Sequence, residues 1–195
     1  MEAIMRLFRV RTIGLRIFVL LGFAVLVSSC SSTGEEVVDP NNQNVSLIYG
    51  YIEMREAKRT LNWLSFRRYR PSAQRYHAKI YDGLFYHIGV EHGSYQVEKF
   101  GSYGNRSNRG MIFTFGASGK NQTATKIKKP GLYNVGTYKY VAEKDRRGEH
   151  KKFSFKKSKT PSEKELLTEL LRSVKTNHSD YVHQIKWIEQ KLAKL

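Results

Sequence analysis

Residues 82–97 read Asp82-Gly83-Leu84-Phe85-Tyr86-His87-Ile88-Gly89-Val90-Glu91-His92-Gly93-Ser94-Tyr95-Gln96-Val97. Leu84, Tyr86, Ile88 and Val90 recur at period two, as do Tyr95 and Val97. That period belongs to a strand with one buried face, because successive side chains point to opposite sides of a sheet. Asp82-Gly83 and Glu91-His92-Gly93 are turn signals. The stretch is therefore turn, strand, turn, strand.

The same pattern extends both ways. Short runs rich in Tyr, Phe, Ile and Val place strands at 45–54, 60–69, 77–81, 84–90, 94–100, 110–115, 123–128, 132–141 and 151–157. Met111, Phe113 and Phe115 alternate clearly, and further turns fall at Gly104-Asn105, Ser118-Gly119 and Pro130-Gly131. So many short strands predict a mainly β fold, a sandwich or barrel over 45–159. One phrase recurs: His92-Gly93-Ser94-Tyr95-Gln96-Val97 is echoed by Pro130-Gly131-Leu132-Tyr133-Asn134-Val135. Two copies make no solenoid. They predict a glycine leading into a strand whose Tyr and Val point inward.

After Lys159 the period changes. Thr160, Pro161 and Glu163 fit an N-cap, N1 and N3 of a capping box. Leu166, Leu167, Leu170, Leu171 and Val174 then form one helical stripe. Tyr181, Ile185, Ile188, Leu192 and Leu195 form a second, flanked by Trp187. The pair at 160–195 packs on the sandwich, or else offers a protein partner a helix face.

The 82–97 stretch resembles carboxypeptidase-regulatory-like and other transthyretin-like domains. Their phrase is roughly D-G-x-F, then an aliphatic residue and P-G-x-Y-x-aliphatic; here His92 stands where Pro is usual. The resemblance implies a Greek-key β-sandwich used as a spacer, binding module or assembly part. It carries over no functional residue.

The N-terminus reads as an address. Arg6, Arg9, Arg11 and Arg16 precede an uncharged run, Ile17 to Val27, and then the chain's single cysteine, Cys30. Eleven residues at ~1.5 Å each fall short of a hydrocarbon layer of about 30 Å but suit a signal peptide. Val27-Ser28-Ser29-Cys30 resembles the lipobox of bacterial lipoprotein precursors. The resemblance implies cleavage between Ser29 and Cys30. It also implies diacylglycerol on the Cys30 sulfur, with a further palmitate-type chain on the amine. Ser31 rather than Asp follows Cys30, which by the same resemblance points to the outer membrane, facing the periplasm. Residues 31–44 carry no Lys or Arg and read as a flexible tether of up to about 50 Å at ~3.6 Å per residue.

The 195 residues carry 34 Lys+Arg against 17 Asp+Glu. Residues 1–29 hold four of the Arg and one Glu, so the remainder stays strongly basic, at +14. Eight cations lie between Lys144 and Lys159, among them Lys151 and Lys152. Arg67, Arg68, Arg70 and Arg75 interleave with Tyr69 and Tyr76, and Lys126, Lys128 and Lys129 form a third cluster. In an exported chain such clusters suit lipopolysaccharide, anionic lipid or peptidoglycan better than nucleic acid. The alternative is that they are solvated faces keeping sheet edges soluble.

Signs of catalysis are few. One cysteine excludes a multi-cysteine metal site. The histidines, His77, His87, His92, His150, His178 and His183, match no H-E-x-x-H spacing. Gly116-Ala117-Ser118-Gly119 falls short of a nucleophile elbow. No cofactor is implied. The expectation is a lipid-anchored, non-enzymatic binding or assembly module. An envelope hydrolase and a structural subunit of a secretion or surface-assembly complex remain as rivals.

Overall fold

The structure is a computed structural model and describes residues 38–104, 110–115, 122–144 and 150–195, the side chains of 143, 144 and 150–153 excepted. The signal-peptide and lipidation assignments at 1–30 lie outside the described residues, as do Ser118-Gly119 and Gly116-Ala117-Ser118-Gly119.

The fold is mainly β, with two sheets and two C-terminal helices. Ten strands are described: β1 (Ser46–Glu53), β2 (Trp63–Arg70), β3 (Gln74–His77), β4 (Lys79–Tyr81), β5 (Leu84–Val90), β6 (Gly93–Ser102), β7 (Met111–Thr114), β8 (Thr125–Ile127), β9 (Leu132–Lys144) and β10 (His150–Lys157). The helices are α1 (Glu163–Asn177) and α2 (Val182–Leu192). The first sheet has the order β10-β9-β1-β5-β4 and the second β3-β2-β6-β7, with β8 also on β6. Within the first sheet β1 and β9 run parallel, and the other pairs are antiparallel.

Alternation along β1 explains the layering. Ile48 and Ile52 point into the core between the sheets, where they join Phe66, Tyr95, Phe100 and Phe113. Leu47 and Tyr49 point the other way, into a second core with Leu84, Tyr86, Leu167, Leu170 and Ile188. The first sheet is thus covered on both faces, by the second sheet and by the helices. Among the described residues the second sheet has only its inner face covered. Both tyrosines of the echoed phrase do face the intersheet core, with Val97 and Val135 beside them.

Four details differ from the sequence expectation. The single strand expected at 77–81 is two, β3 and β4, in different sheets; the chain changes sheet at Ala78, whose N–H is held by the Leu64 carbonyl at 2.9 Å. Val90 does not continue the face of Leu84, Tyr86 and Ile88. Gly89, at φ +104°, makes a bulge opposite the Ser46–Leu47 step, and Val90 turns into the intersheet core. The N-cap of α1 is Ser162 rather than Thr160: the S-x-x-E frame two residues later makes the capping box with Glu165. Leu195 stands exposed beyond the end of α2, while Gln184 is buried in its place.

Polar contacts lock the helices onto the sheet. The Tyr49 hydroxyl donates to Glu163 at 3.2 Å, and the Tyr86 and Ser173 hydroxyls meet at 3.0 Å. Lys175 pairs with Glu189 across the two helices at 2.7 Å. Tyr181 donates to the Val38 carbonyl at 2.7 Å, and turns at Asn41 and Asn44 are closed by Asp39 and Asn42. Residues 38–44 therefore have local structure, in a segment the sequence reads as tether.

Gln184 is the costly feature. Its amide nitrogen and oxygen are both buried, and among the described residues neither has a hydrogen-bond partner. A buried amide without a partner costs about 1–3 kcal/mol. Gln184→Leu is expected to raise the unfolding free energy by about 1 kcal/mol or more, read as a higher midpoint of chemical unfolding. An unchanged or lowered midpoint would mean that the amide is satisfied after all.

Candidate anion-binding surface

The uncovered outer face of the second sheet gathers cations that the sequence keeps in separate clusters. Register places them together. Arg67 on β2 faces Arg75 on β3 and Gln96 on β6. Arg70 faces Ser94, and Ser94 faces Lys126 on β8. Ser65 faces Lys99. Cross-strand partners share a face, and neighbouring strands lie about 4.8 Å apart. Arg70 and Lys126 thus flank Ser94 with their Cα atoms roughly 10 Å apart.

The outer face then carries Arg67, Arg70, Arg75, Lys99 and Lys126. Glu98 is the only carboxylate in the strands of this sheet. It lies between two of the arginines: Arg75 donates to it at 2.6 and 3.0 Å, and Arg67 at 3.4 Å. The Arg67 guanidinium also sits 5.3 Å from the centre of the Tyr69 ring, and Tyr69 accepts from Gln96. Among the described residues, Arg70 and Lys126 have no carboxylate partner.

The Arg75 hydrogen bond, and then the charges of Arg75 and Arg67, hold the Glu98 carboxyl below its usual range against some burial. A depressed carboxyl contributes stability above its unfolded pKa and loses it as pH falls through the folded value. Stability is therefore expected to decline below about pH 4.3, the ordinary glutamate value. Glu98→Gln should lessen that decline in urea melts taken between neutral and acid pH. An identical decline in both proteins would assign the acid sensitivity elsewhere.

Arg68 belongs to a different setting. It is only 6% exposed, on the inner side of β2. Its guanidinium reaches Glu91 at 2.6 Å, Gln74 at 2.7 Å and the Ser72 hydroxyl at 3.0 Å. Its Nε donates to the Ser72 carbonyl at 3.3 Å. All these donors are spent on closing the end of the sandwich, which leaves Arg68 little to offer a ligand. Lys128 and Lys129 are exposed in the turn between β8 and β9. The Lys129 carbonyl accepts from Tyr133 at 2.8 Å. Lys151 and Lys152 sit on β10, the edge of the other sheet, and their side chains lie outside those described. The structure therefore brings the second and third clusters partly together and places the first elsewhere.

Among the described residues no group of three or more His, Cys, Asp or Glu is placed to hold a metal ion, and no helix is long and apolar enough to cross a membrane. Buried phenols act as structural donors. Burial pushes Tyr138 up to about 12; its hydroxyl donates to the carbonyls of Gln122 and Val135 at 2.7 and 2.9 Å.

Sequence reading passes over Arg55, Lys58 and Arg59. They share a nine-residue link with Glu56 and look like a solvated turn. In space they border a cleft of about 460 Å³ with Asn62 and Tyr103. The only sequence signal is three cations in five residues. No family model, curated protein or solved structure matches the chain.

Proposed function

We propose that the chain is a lipid-anchored envelope lipoprotein, held at the outer membrane by acyl chains on Cys30. Its sandwich is a non-enzymatic binding module that turns a basic sheet face toward an anionic envelope component. The observation that carries the proposal is the second sheet's outer face, with five cations against Glu98 on a broad sheet surface that no other layer covers among the described residues. A solvated face that merely deters edge pairing would need charge at the edges. Here Arg67, Arg70 and Lys99 lie on the inner strands β2 and β6. The lipobox supplies the address. With residues 38–44 engaged, residues 31–37 remain to link lipid and domain, a reach of about 25 Å at ~3.6 Å each. That keeps the domain close to the headgroups, where each Lys or Arg contributes about 1 kcal/mol.

Two experiments test this. Intact-mass analysis of the membrane fraction is expected to find a species that begins at Cys30 and carries acyl mass. Cys30→Ala should leave an unacylated chain with no such species, since two or more acyl chains anchor stably where one does not. A wild-type chain that retains residues 1–29, or lacks acyl mass, sinks the anchor. Separately, the full chain in neutral detergent is expected to bind lipopolysaccharide. Changing Arg67, Arg70 and Lys126 together to Gln should weaken that binding roughly a hundredfold. Equal binding by the triple variant would remove the sheet face from the proposal.

A further inference from the structure

We infer that the cleft between residues 54–62 and the end of β6 binds the phosphate of a phosphorylated saccharide. The inference stands on the cleft alone, at the opposite end of β2 from Arg70 and Lys126. Eight residues of β2 separate the two ends, roughly 23 Å at ~3.3 Å per residue.

The loop is held firmly. Met54 and Leu61 are buried in the intersheet core at either end of it. A single 3-10 turn, Arg55–Ala57, is closed by Ala57 N–H to the Met54 carbonyl at 3.0 Å. Lys58 follows in the left-handed region at φ 52°, an uncommon conformation for a residue with a side chain. Such strain is kept where the surroundings enforce it. The loop's one carboxylate, Glu56, accepts from the Ala142 N–H of β9 at 3.3 Å and is not among the residues that line the cleft. Arg55, Lys58 and Arg59 therefore border the cleft with no carboxylate among its lining. Arg55 does meet Glu53 at 3.4 Å, but that arginine is 84% exposed and the pair is screened by solvent.

The uncharged groups give the chemistry its direction. Asn62 Oδ1 accepts from the Ser102 hydroxyl at 3.1 Å and from the Tyr103 N–H at 2.9 Å. Both of its lone-pair positions are then filled. Asn62 Nδ2 reaches Thr60 Oγ1 at 3.4 Å, which turns the Thr60 hydroxyl into a donor. The charged groups at this cleft are all donors, two guanidinium groups and an ammonium, with one amide N–H and the Thr60 and Tyr103 hydroxyls beside them. Three cations with no carboxylate in the lining of this cleft suit an oxyanion and repel a cation. Two arginines and a lysine match a dianionic phosphate, with charge-assisted bonds that exceed neutral ones in strength.

The space calls for more than phosphate. A second cleft of about 410 Å³ shares Arg55, Arg59, Thr60 and Asn62, and has the carboxylates Glu53 and Asp82 beside Ile52, Met54 and Leu61 in its wall. Tyr103, 66% exposed, stands at the rim of the first. A sugar ring offers one C–H face to an aromatic ring, hydroxyl oxygens to donors and hydroxyl protons to carboxylates, so a hexose phosphate suits the pair of clefts, its phosphate in the first and its hydroxyls toward Glu53 and Asp82 in the second.

The test is calorimetric titration of the full chain in neutral detergent with glucose 1-phosphate, inorganic phosphate and glucose. Glucose 1-phosphate is expected to bind roughly tenfold or more tightly than inorganic phosphate, with glucose alone weakest. Arg59→Gln and Lys58→Asn should each weaken it by roughly tenfold. Asn tolerates the left-handed backbone, so Lys58→Asn removes charge while keeping the turn. Lys194→Gln, an exposed cation beyond the end of α2, should leave the affinity unchanged. Melting curves that match wild type confirm that each variant is folded. Equal affinity for inorganic phosphate and glucose 1-phosphate would overturn the saccharide. No binding, or equal weakening by Lys194→Gln, would overturn the site itself.

Discussion

Truncation after Lys159 is expected to unfold the sandwich. Removing α1 and α2 uncovers the outer face of the first sheet, where Leu47, Tyr49, Leu84 and Tyr86 are each 2% exposed or less. Large side chains of this kind are worth about 1.5–3 kcal/mol each on burial, so four forfeit roughly 6–12 kcal/mol. The whole stability of a domain is about 5–15 kcal/mol. The hydroxyls of Tyr49 and Tyr86 also lose Glu163 and Ser173. Circular dichroism and limited proteolysis of the chain ending at Lys159 should report a collapsed or aggregating product. A truncated chain that melts cooperatively near the full-length temperature would show that the helices are an appendage. It would restore them as a docking device for a protein partner, the role that their buried stripe argues against. Leu166, Leu167, Leu170 and Val174 are spent on the sheet, and α1 has no second apolar stripe to offer.

How much of this was legible depended on how local each signal was. Period-two runs such as Met111, Phe113 and Phe115 report a buried face within a few residues, and they lie in the intersheet core as expected. The helical stripe of α1 is equally local. Sheet membership is not local. Nothing between Gln74 and Tyr81 announces that the chain changes sheet at Ala78, because that depends on which strands lie to either side. Arg68 shows the same limit at a candidate site. Its neighbours Arg67 and Arg70 face solvent, and by composition the three are alike. Alternation turns Arg68 inward, and only the fold brings Glu91, Ser72 and Gln74 to it. The cleft at Arg55, Lys58 and Arg59 was illegible for a related reason. Asn62, Ser102 and Tyr103 are neighbours only through the pairing of β2 with β6. Cation clusters were visible along the chain; whether they met was a question of register.

Gly50→Ala is expected to destabilise the protein by about 3 kcal/mol, at the upper end of what overpacking a core usually costs. The physical reason is a close approach at the centre of the first sheet. A Cβ on Gly50 would lie 2.5 Å from Phe85 Cζ, 2.7 Å from Val135 Cγ2 and 2.8 Å from the Gly136 carbonyl oxygen. Phe85 is fully buried, and the carbonyl is backbone, so neither has an easy way to yield. Nor is β1 free to move, since β5 and β9 pair on its two sides. Between Tyr49 and Tyr51 the pairing with β9 slips by one residue, so that Val135 and Gly136 together face Gly50. Gly136 holds that bulge at φ +113°, with its N–H on Asn134 Oδ1 at 2.7 Å. The expected loss corresponds to a fall in melting temperature of roughly 6–12 °C for a domain of this size. Gly131→Ala is the matched control. It replaces the glycine of the second copy of the echoed phrase, where a Cβ meets only Tyr133 Cε2, at an ordinary 3.7 Å. Gly131→Ala should be neutral, or stabilise by about 0.4–1 kcal/mol through the unfolded chain. If the two variants melt together at the wild-type temperature, β1 and β9 do not approach as closely as the parallel pairing requires, and the centre of the first sheet is differently packed.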